Sequence, residues 1–537
     1  MSSVKTTEFR VLIRLYVPIF LSLAFLTTGC SIYPGSTRHT DDLRKPDQLK
    51  KDVDYTYRKL NDFHGKLYWY IYEAIWKKEL DSLKETITTP MTSEDFYMKF
   101  SPVIASLKQG HTQLFPLVSD DTYRKLRDYE KGKDSPLHDI GFEIFDDRLY
   151  ITANKRNYPG IHTGTEVVRI GGLDPKELIS DYKNTFASDG YNQTYATHRL
   201  GKKFASYFIL RTGIADSIQC QLKFHDTIQD YFLTQINKIS EDTIQTEKKP
   251  VLTKDDLPKQ FRRAVQWKSG SLEFHDPDST TAILKINDFA GRSFDYYLQY
   301  CFDLLRKTET QNLILDLRNN PGGSAKQAAD LYSYLSPEPV PFLDEITVQR
   351  KTSLMHTPYY DGQSFSGVVM LTIFLPFRLI GLTGSYFAVK KNDDDTFYLK
   401  THLSKTNLPV PNQFPGAVYV IINGGTFSAA SLLSSNLKGS GRATFVGEET
   451  GGGWHGNSGI MIPDIILPIT KLRVRLPLFK LVQYNHVPKD GRGINPDIFI
   501  PPTVEGVRQN IDRKMEIVKG MIRHSKEPGN YKQPNAK

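Results

Sequence analysis

The sequence predicts an α/β protein with a largely parallel sheet, preceded by a smaller β-rich module and a helical N-terminal region. Three observations carry this. TAILKIN (281–287), NLILDL (312–317) and AVYVIIN (417–423) are short, nearly continuous apolar runs, the pattern of strands buried on both faces. SFDYYLQYCFDLLRK follows the first run and SAKQAADLYSYL the second, both apolar at helical spacing, so strands alternate with helices laid on the sheet. Residues 140–179 instead break into short β-branched and aromatic runs separated by DD, PG and GG, which are turn signals between strands.

Taken from the N-terminus, the chain begins with basic residues ahead of the apolar stretch LYVPIFLSLAFL. That stretch is short of the roughly 20 residues an ordinary spanning helix needs. Thr27, Thr28 and Gly29 then lead to Cys30. A small residue before a cysteine at the end of such a stretch resembles a bacterial lipoprotein signal, although Thr27 departs from the usual leucine. The resemblance implies cleavage after residue 29 and a lipid on the Cys30 sulfur, hence a membrane partner. Ser31, in place of the aspartate that signals inner-membrane retention in some bacteria, points to the outer membrane. A plain secretory signal or a short anchor is the alternative.

Residues 30–50 are polar with Pro and Gly and read as a tether. In 51–118, Tyr57, Leu60, Phe63, Leu67, Tyr70 and Ile71 recur at three- and four-residue spacing, so the region is expected to be helical. The charged stretch 119–135 reads as an exposed helix and linker. Within the module 137–250, IGFEI and GTEVVRIGG resemble the carboxylate-binding loop and a later strand-turn of a PDZ domain. A PDZ groove adds a chain end as an extra strand. YPGIHTG stands where bacterial PDZ domains carry Pro-Ala and Ala-Gly-Leu, so the groove departs from the family pattern there. The α/β part spans 262–505. Its apolar run 368–382 is interrupted by Pro376 and Arg378, a pattern of buried strands rather than a membrane span. Residues 506–537 are read as a C-terminal helix and a disordered tail.

The 537 residues are enough for two to four domains, and 39% AVILMFWYC with 37 glycines is a globular composition rather than a disordered one. The net charge is +9. Lys5, Arg10 and Arg14 less Glu8 account for +2 of this in the leader, leaving +7 with no basic tract. Nucleic acid is therefore not an expected partner. Cys220 and Cys301 are free to pair if the fold brings them together.

The chemistry concentrates where two strands end. LILDLRNNPGG (313–323) closes a buried strand on two glycines, which lets a backbone approach closely and present N–H groups. AVYVIINGGTFSAAS (417–431) ends another strand in small and hydroxyl residues, and it is not the G-x-S-x-G elbow of α/β hydrolases. Each alone is an ordinary strand-to-helix turn. With TFSAASLLSSNLKGSGRATFVGEETGGG (426–453) and PKDGRGINPDIFIPP (488–502) in this order, they resemble the catalytic domain of the tail-specific or C-terminal processing peptidases. That serine peptidase family includes the tricorn protease core. The resemblance covers 262–503 and implies a crotonase/ClpP-like core, a protein or peptide substrate and no cofactor.

It also selects Ser428 as nucleophile. Ala429 and Ala430 let a helix begin close to the sheet, and an oxyanion could sit on the N–H of Ala429 and of Gly322 or Gly323. Many family members take the base from a lysine 25 residues after the serine. That position is Gly453 here, which excludes a Ser–Lys dyad of that form. The tricorn-like branch uses a histidine in a Gly-His-Ser/Thr turn. QGHTQL supplies His111, with Gln109 where relatives often carry Asp. The accompanying acid falls at Asp490 in KDGRGINPD, where relatives usually have glutamate. His455, two residues beyond Gly453, is the rival base. Ser431, Ser434 and Ser435 read as packing or capping residues and Asp497 as a turn tie. No metal motif occurs.

The reading is an exported, lipid-anchored serine endopeptidase. Its rival is a peptide-binding lipoprotein on the same fold that cuts nothing. Acyl-CoA chemistry on the same core topology is a third option, opposed by export.

Overall fold

The computed structural model describes residues 42–117, 136–137, 139–213, 215–234, 263–264, 267–353, 386–393, 396–399, 401–406, 410–485 and 487–525. The leader with Cys30, the charged stretch 119–135, the apolar run 368–382 and the tail from 526 lie outside them.

The N-terminal region holds helices α1 (Pro46–Phe63), α2 (Glu73–Thr86) and α3 (Ser93–Ala105), then strand β1 (Leu114–Phe115). Helix α1 begins inside the expected tether, with Pro46 at its first turn, where a missing N–H costs nothing. It ends at Phe63, short of the apolar spacing that runs on to Ile71. His64 is extended, and Gly65 N–H turns aside to Pro477 O. Leu67 is therefore buried from a turn, not from a helix. The region is docked on the rest of the chain by Asp52. This fully buried carboxylate accepts the N–H groups of Ile469 and Thr470 and the Thr470 hydroxyl.

Next comes a five-stranded antiparallel sheet, in order β2 (Ile140–Phe145), β3 (Arg148–Asn154), β4 (Glu166–Ile170), β5 (Ser217–Phe224) and β6 (Thr227–Thr234). The DD pair forms the two-residue β2–β3 turn with φ of 48° and 56°, as a hairpin matched to strand twist requires. Helices α4 (Pro175–Lys183), α5 (Thr194–Lys202) and α6 (Phe204–Thr212) lie between β4 and β5. Helix α5 packs on edge strand β2 so closely that a Cβ on Gly201 would come 3.2 Å from Glu143 Cα. Lys202 pairs with Glu143 across the same contact. No strand can be inserted between helix and strand there, because a neighbouring strand needs about 4.8 Å.

The third part contains β7 (Gly270–Phe274), β8 (Thr281–Ile286), helix α7 (Phe294–Lys307), β9 (Asn312–Asp316), helix α8 (Ala325–Leu335), β10 (Leu343–Val348), β11 (Val389–Lys391) and β12 (Phe397–Leu399). It continues with β13 (Ala417–Ile422), helix α9 (Ala429–Gly439), β14 (Thr444–Gly447), β15 (Gly456–Gly459), β16 (Asp464–Ile466), β17 (Arg473–Arg475), β18 (Phe479–Gln483) and β19 (Ile498–Phe499). Helices α10 (Val504–Arg508) and α11 (Arg513–Ser525) follow. Its central sheet runs β19-β14-β13-β9-β8-β7, parallel except for β7. All three apolar runs are strands of it. Every residue of β9 is buried because both faces are covered: Leu313, Leu315 and Val420 belong to the main core. Ile314, Ile421 and Val446 meet Met515, Val518 and Ile522 of α11. Burying each such side chain contributes about 1.5–3 kcal/mol. A second antiparallel sheet, β11-β12-β10-β18-β15, and a three-stranded one, β1-β17-β16, flank this core. β1 thus ties the N-terminal region to β17 in register Leu114↔Val474.

Cys220 and Cys301 are buried and unpaired. Burial raises both thiols to about 12. Among the described residues no helix is long and apolar enough to cross a membrane.

Candidate active site

Parallel strands β9 and β13 end side by side, and their turns are knitted together. Asn423 Oδ1 accepts the N–H groups of Asn319 and Gly425, and Asn423 Nδ2 donates to Asn319 Oδ1. Thr426 Oγ1 donates to Leu317 O, and Phe427 N–H donates to Asn320 O. These bonds deliver Ser428 at the start of α9 with φ 53° and ψ −123°. A positive φ on a non-glycine residue costs about 1–3 kcal/mol and persists only where the surroundings enforce it. Ser428 makes no side-chain cap bond to its own helix. Its Oγ lies 3.0 Å from His111 Nε2.

His111 reaches this position from the loop between α3 and β1. Gln109 is almost fully buried and donates to Lys66 O and Leu67 O at 2.7 Å while accepting from Ser458 Oγ. Gly110 N–H donates to Asp189 Oδ1. Thr112 Oγ1 meets His64 Nε2 at 2.8 Å. Because Lys66 N–H donates to His64 Nδ1, His64 carries its proton on Nε2 and is the donor to Thr112. Arg475 N–H closes the loop onto Gln113 O. The His111 ring packs 4.7 Å from that of Phe427, centroid to centroid. Burial, with Arg475 adding repulsion, pushes the imidazole down to about 3. It is therefore neutral at neutral pH, the form in which a ring nitrogen can accept a proton.

Of the proposed oxyanion donors, Gly322 N–H is taken by Asn320 Oδ1. Among the described residues the N–H groups of Gly323 and Ala429 have no acceptor. Gly322 has a different task. It sits at φ 96°, and a Cβ there would come 2.5 Å from Ser428 Cβ and 2.7 Å from Ala429 N. The turn can touch the serine only because this residue is glycine.

Asp490, the expected acid, is not brought to His111. Asp490 is exposed and its Oδ1 accepts Arg492 N–H, the two-residue reach by which a short aspartate closes its own turn. His111 Nδ1 is buried with no partner. The loop carrying Asp490 is instead organised by Glu449, which accepts from Arg492 Nη2 and Gly493 N–H. His455 is half-buried, faces Trp69 edge-on at 6.0 Å and makes no bond to Ser428. Ser431, Ser434 and Ser435 donate to the carbonyls of Ser428, Ala430 and Trp454. Asp497 binds Lys438 and Phe445 N–H. Gly453 donates its N–H to Asp189 Oδ2. Asp189 and His64 escape a sequence reading: the Asp-Gly pair at 189–190 signals only a turn, and a lone histidine after a helix signals nothing.

Residues 280–500 match the family model described as peptidase family S41. No curated protein matches the chain. Among solved structures it is similar to mature CPAF, at 16% identity over 90% of this chain and 99% of that one, with a TM-score of 0.54. A mutant of CPAF gives 14% identity, 89% and 97% coverage and a TM-score of 0.57. Mature CPAF complexed with lactacystin gives 15%, 89%, 99% and 0.53. At these identities the likeness shows a shared α/β fold. Over 280–500 the chain is thus similar to the peptidases of family S41.

Proposed function

We propose that the chain is an endopeptidase that cleaves protein or peptide chains through an acyl-enzyme on Ser428, with His111 as base. The observation that carries this is the 3.0 Å contact between His111 Nε2 and Ser428 Oγ at the start of α9. Serine is a weak nucleophile until a neutral imidazole takes its proton. As Oγ attacks the scissile carbonyl, its proton passes to Nε2, and the oxyanion forms near the N–H groups of Ala429 and Gly323, aided by the dipole of α9. Nε2 then protonates the leaving amine. Water, deprotonated by the same nitrogen, releases the acyl group. The chain end of a substrate would meet β2, whose residues Ile140 and Gly141 line a cavity of about 980 Å³ with Thr194, His198, Asn319 and Asn423. Contact between α5 and Glu143 limits such docking to the Ile140 end. Lipid on Cys30 would hold the enzyme at the outer membrane.

A catalytically silent binder is the second reading, and His111 Nδ1 favours it. A buried N–H without an acceptor is costly, so the resting ring is stabilised with its proton on Nε2, where it donates to Ser428 rather than accepts. One experiment separates the two: purified wild type should digest a fluorescently labelled unfolded protein and Ser428→Ala should not. Equal digestion by both, or none by a folded wild type, would sink the endopeptidase. In cells, Cys30→Ser should move the protein out of the membrane fraction. Unchanged partition would remove the anchor.

A further inference from the structure

We propose that Asp189, as a carboxylate, is the positioning residue that holds the His111 loop in register with Ser428. The inference rests on the Ser428–His111 reading above. Asp189 belongs to the segment between α4 and α5, outside the span that matches the peptidase family, yet two loops of the site converge on it and a third on Tyr191 beside it. Its Oδ1 accepts Gly110 N–H at 2.9 Å, next to the base. Its Oδ2 accepts Gly453 N–H at 3.3 Å, and its own N–H donates to Gly451 O at 3.1 Å, on the loop beside the nucleophile. The following residues continue the junction: Gly190 N–H donates to Lys108 O and Tyr191 N–H to Gly491 O, each at 2.8 Å. Asn192 Nδ2 donates back to Asp189 O. The side chain is only 2% exposed, so water cannot replace any partner it drops.

A carboxylate can accept both N–H groups, whereas a protonated acid turns one oxygen into a donor. The N–H facing the hydroxyl oxygen would then lose its charge-assisted bond and meet a weaker acceptor, and the two loops would loosen. The charge is therefore part of the positioning. Burial raises the Asp189 carboxyl to about 7, against the two N–H groups that lower it. The titratable groups around the junction are Tyr70 from the 64–72 loop, Lys108 and His111 from the base loop, Tyr191, and Asp490 from the third loop. His111, held down to about 3, does not titrate near 7. Activity should rise with pH through about 7 as Asp189 ionises. Stability should run the other way. The native state keeps a proton that the unfolded chain, with an ordinary aspartate near 3.8, has released, so the Asp189 contribution falls as pH rises from about 4 to 7.

The test is kcat/KM against pH for the full chain and for Asp189→Asn, with circular dichroism as the check on folding. Wild type should show an acid limb near pH 7. Asp189→Asn, which keeps the shape but only one acceptor oxygen, should lose about 10- to 100-fold at pH 8, the scale of a base misplaced by about 1 Å, and its profile should be flat from pH 6 to 8. A limb that persists in Asp189→Asn, or wild-type turnover in that variant, overturns the proposal. If the variant does not fold, the wild-type rate of labelling by a fluorophosphonate decides, and a rate constant from pH 5 to 8 overturns it. His111→Ala keeps the two failures apart. An inactive His111→Ala beside an unaffected Asp189→Asn removes Asp189 alone, whereas an active His111→Ala removes the reading beneath it.

Discussion

Ser428 and His111 face each other, but the chain holds them by different means. The serine stands on two turns at the ends of adjacent parallel strands. Asn319, Asn320, Asn423 and Thr426 bind each other's backbones there, so sheet register alone brings the partners together. The histidine loop is held by single side chains from distant places: His64, 48 residues before its partner Thr112, Asp189, 79 residues from Gly110, and Ser458, 349 residues from Gln109. The first arrangement is rigid because it is continuous with a buried sheet. The second is a set of separate tethers, each of which can be cut. The difference predicts which changes silence the site and which loosen it.

The larger effect is expected on the serine side. Gly322→Ala would place a methyl group 2.5 Å from Ser428 Cβ at a φ of 96°. Backbone strain of about 1–3 kcal/mol and displacement of Ser428 should lower kcat by about 100-fold or more, with substrate affinity little changed. Steady-state kinetics on a folded variant checks this, and wild-type kcat would show that the turn does not press on the serine.

A smaller and different effect is expected on the base side. Gln109→Leu leaves Lys66 O, Leu67 O and Ser458 Oγ without their buried partner. Urea denaturation should show a loss of about 2–4 kcal/mol, with about tenfold lower turnover in the population that remains folded. Unchanged stability would mean that the loop is held without this tether.

The same contrast explains what the sequence made legible. Strands β8, β9 and β13 stand out because strands covered on both faces read as unbroken apolar runs. The turn at Ser428 stands out because close approach at Gly322 and a helix start at Ala429 require small residues in a fixed order. His111 was reachable only through the QGHT resemblance, and its tethers were not reachable at all. Asp189, His64 and Gln109 are lone polar residues whose partners are set by tertiary packing. The run from Tyr57 to Ile71 kept a helical spacing beyond the helix, since burial of Leu67 from a turn looks the same in a list of apolar positions. Asp490 failed for a local reason: a side chain that short bonds Arg492 N–H in its own turn before it can reach a distant ring.

The central claim is that His111 activates Ser428, and the measurement closest to it is the rate and site of covalent labelling by a fluorophosphonate, read by peptide mass. The account predicts an adduct on Ser428, absent in Ser428→Ala and formed about 10⁴-fold more slowly in His111→Ala, the usual loss when a triad base is removed. His455→Ala should label within about threefold of wild type, as expected for a side chain that packs on Trp69 and not on the nucleophile. Labelling of His111→Ala at the wild-type rate, or its loss in His455→Ala instead, would contradict the account.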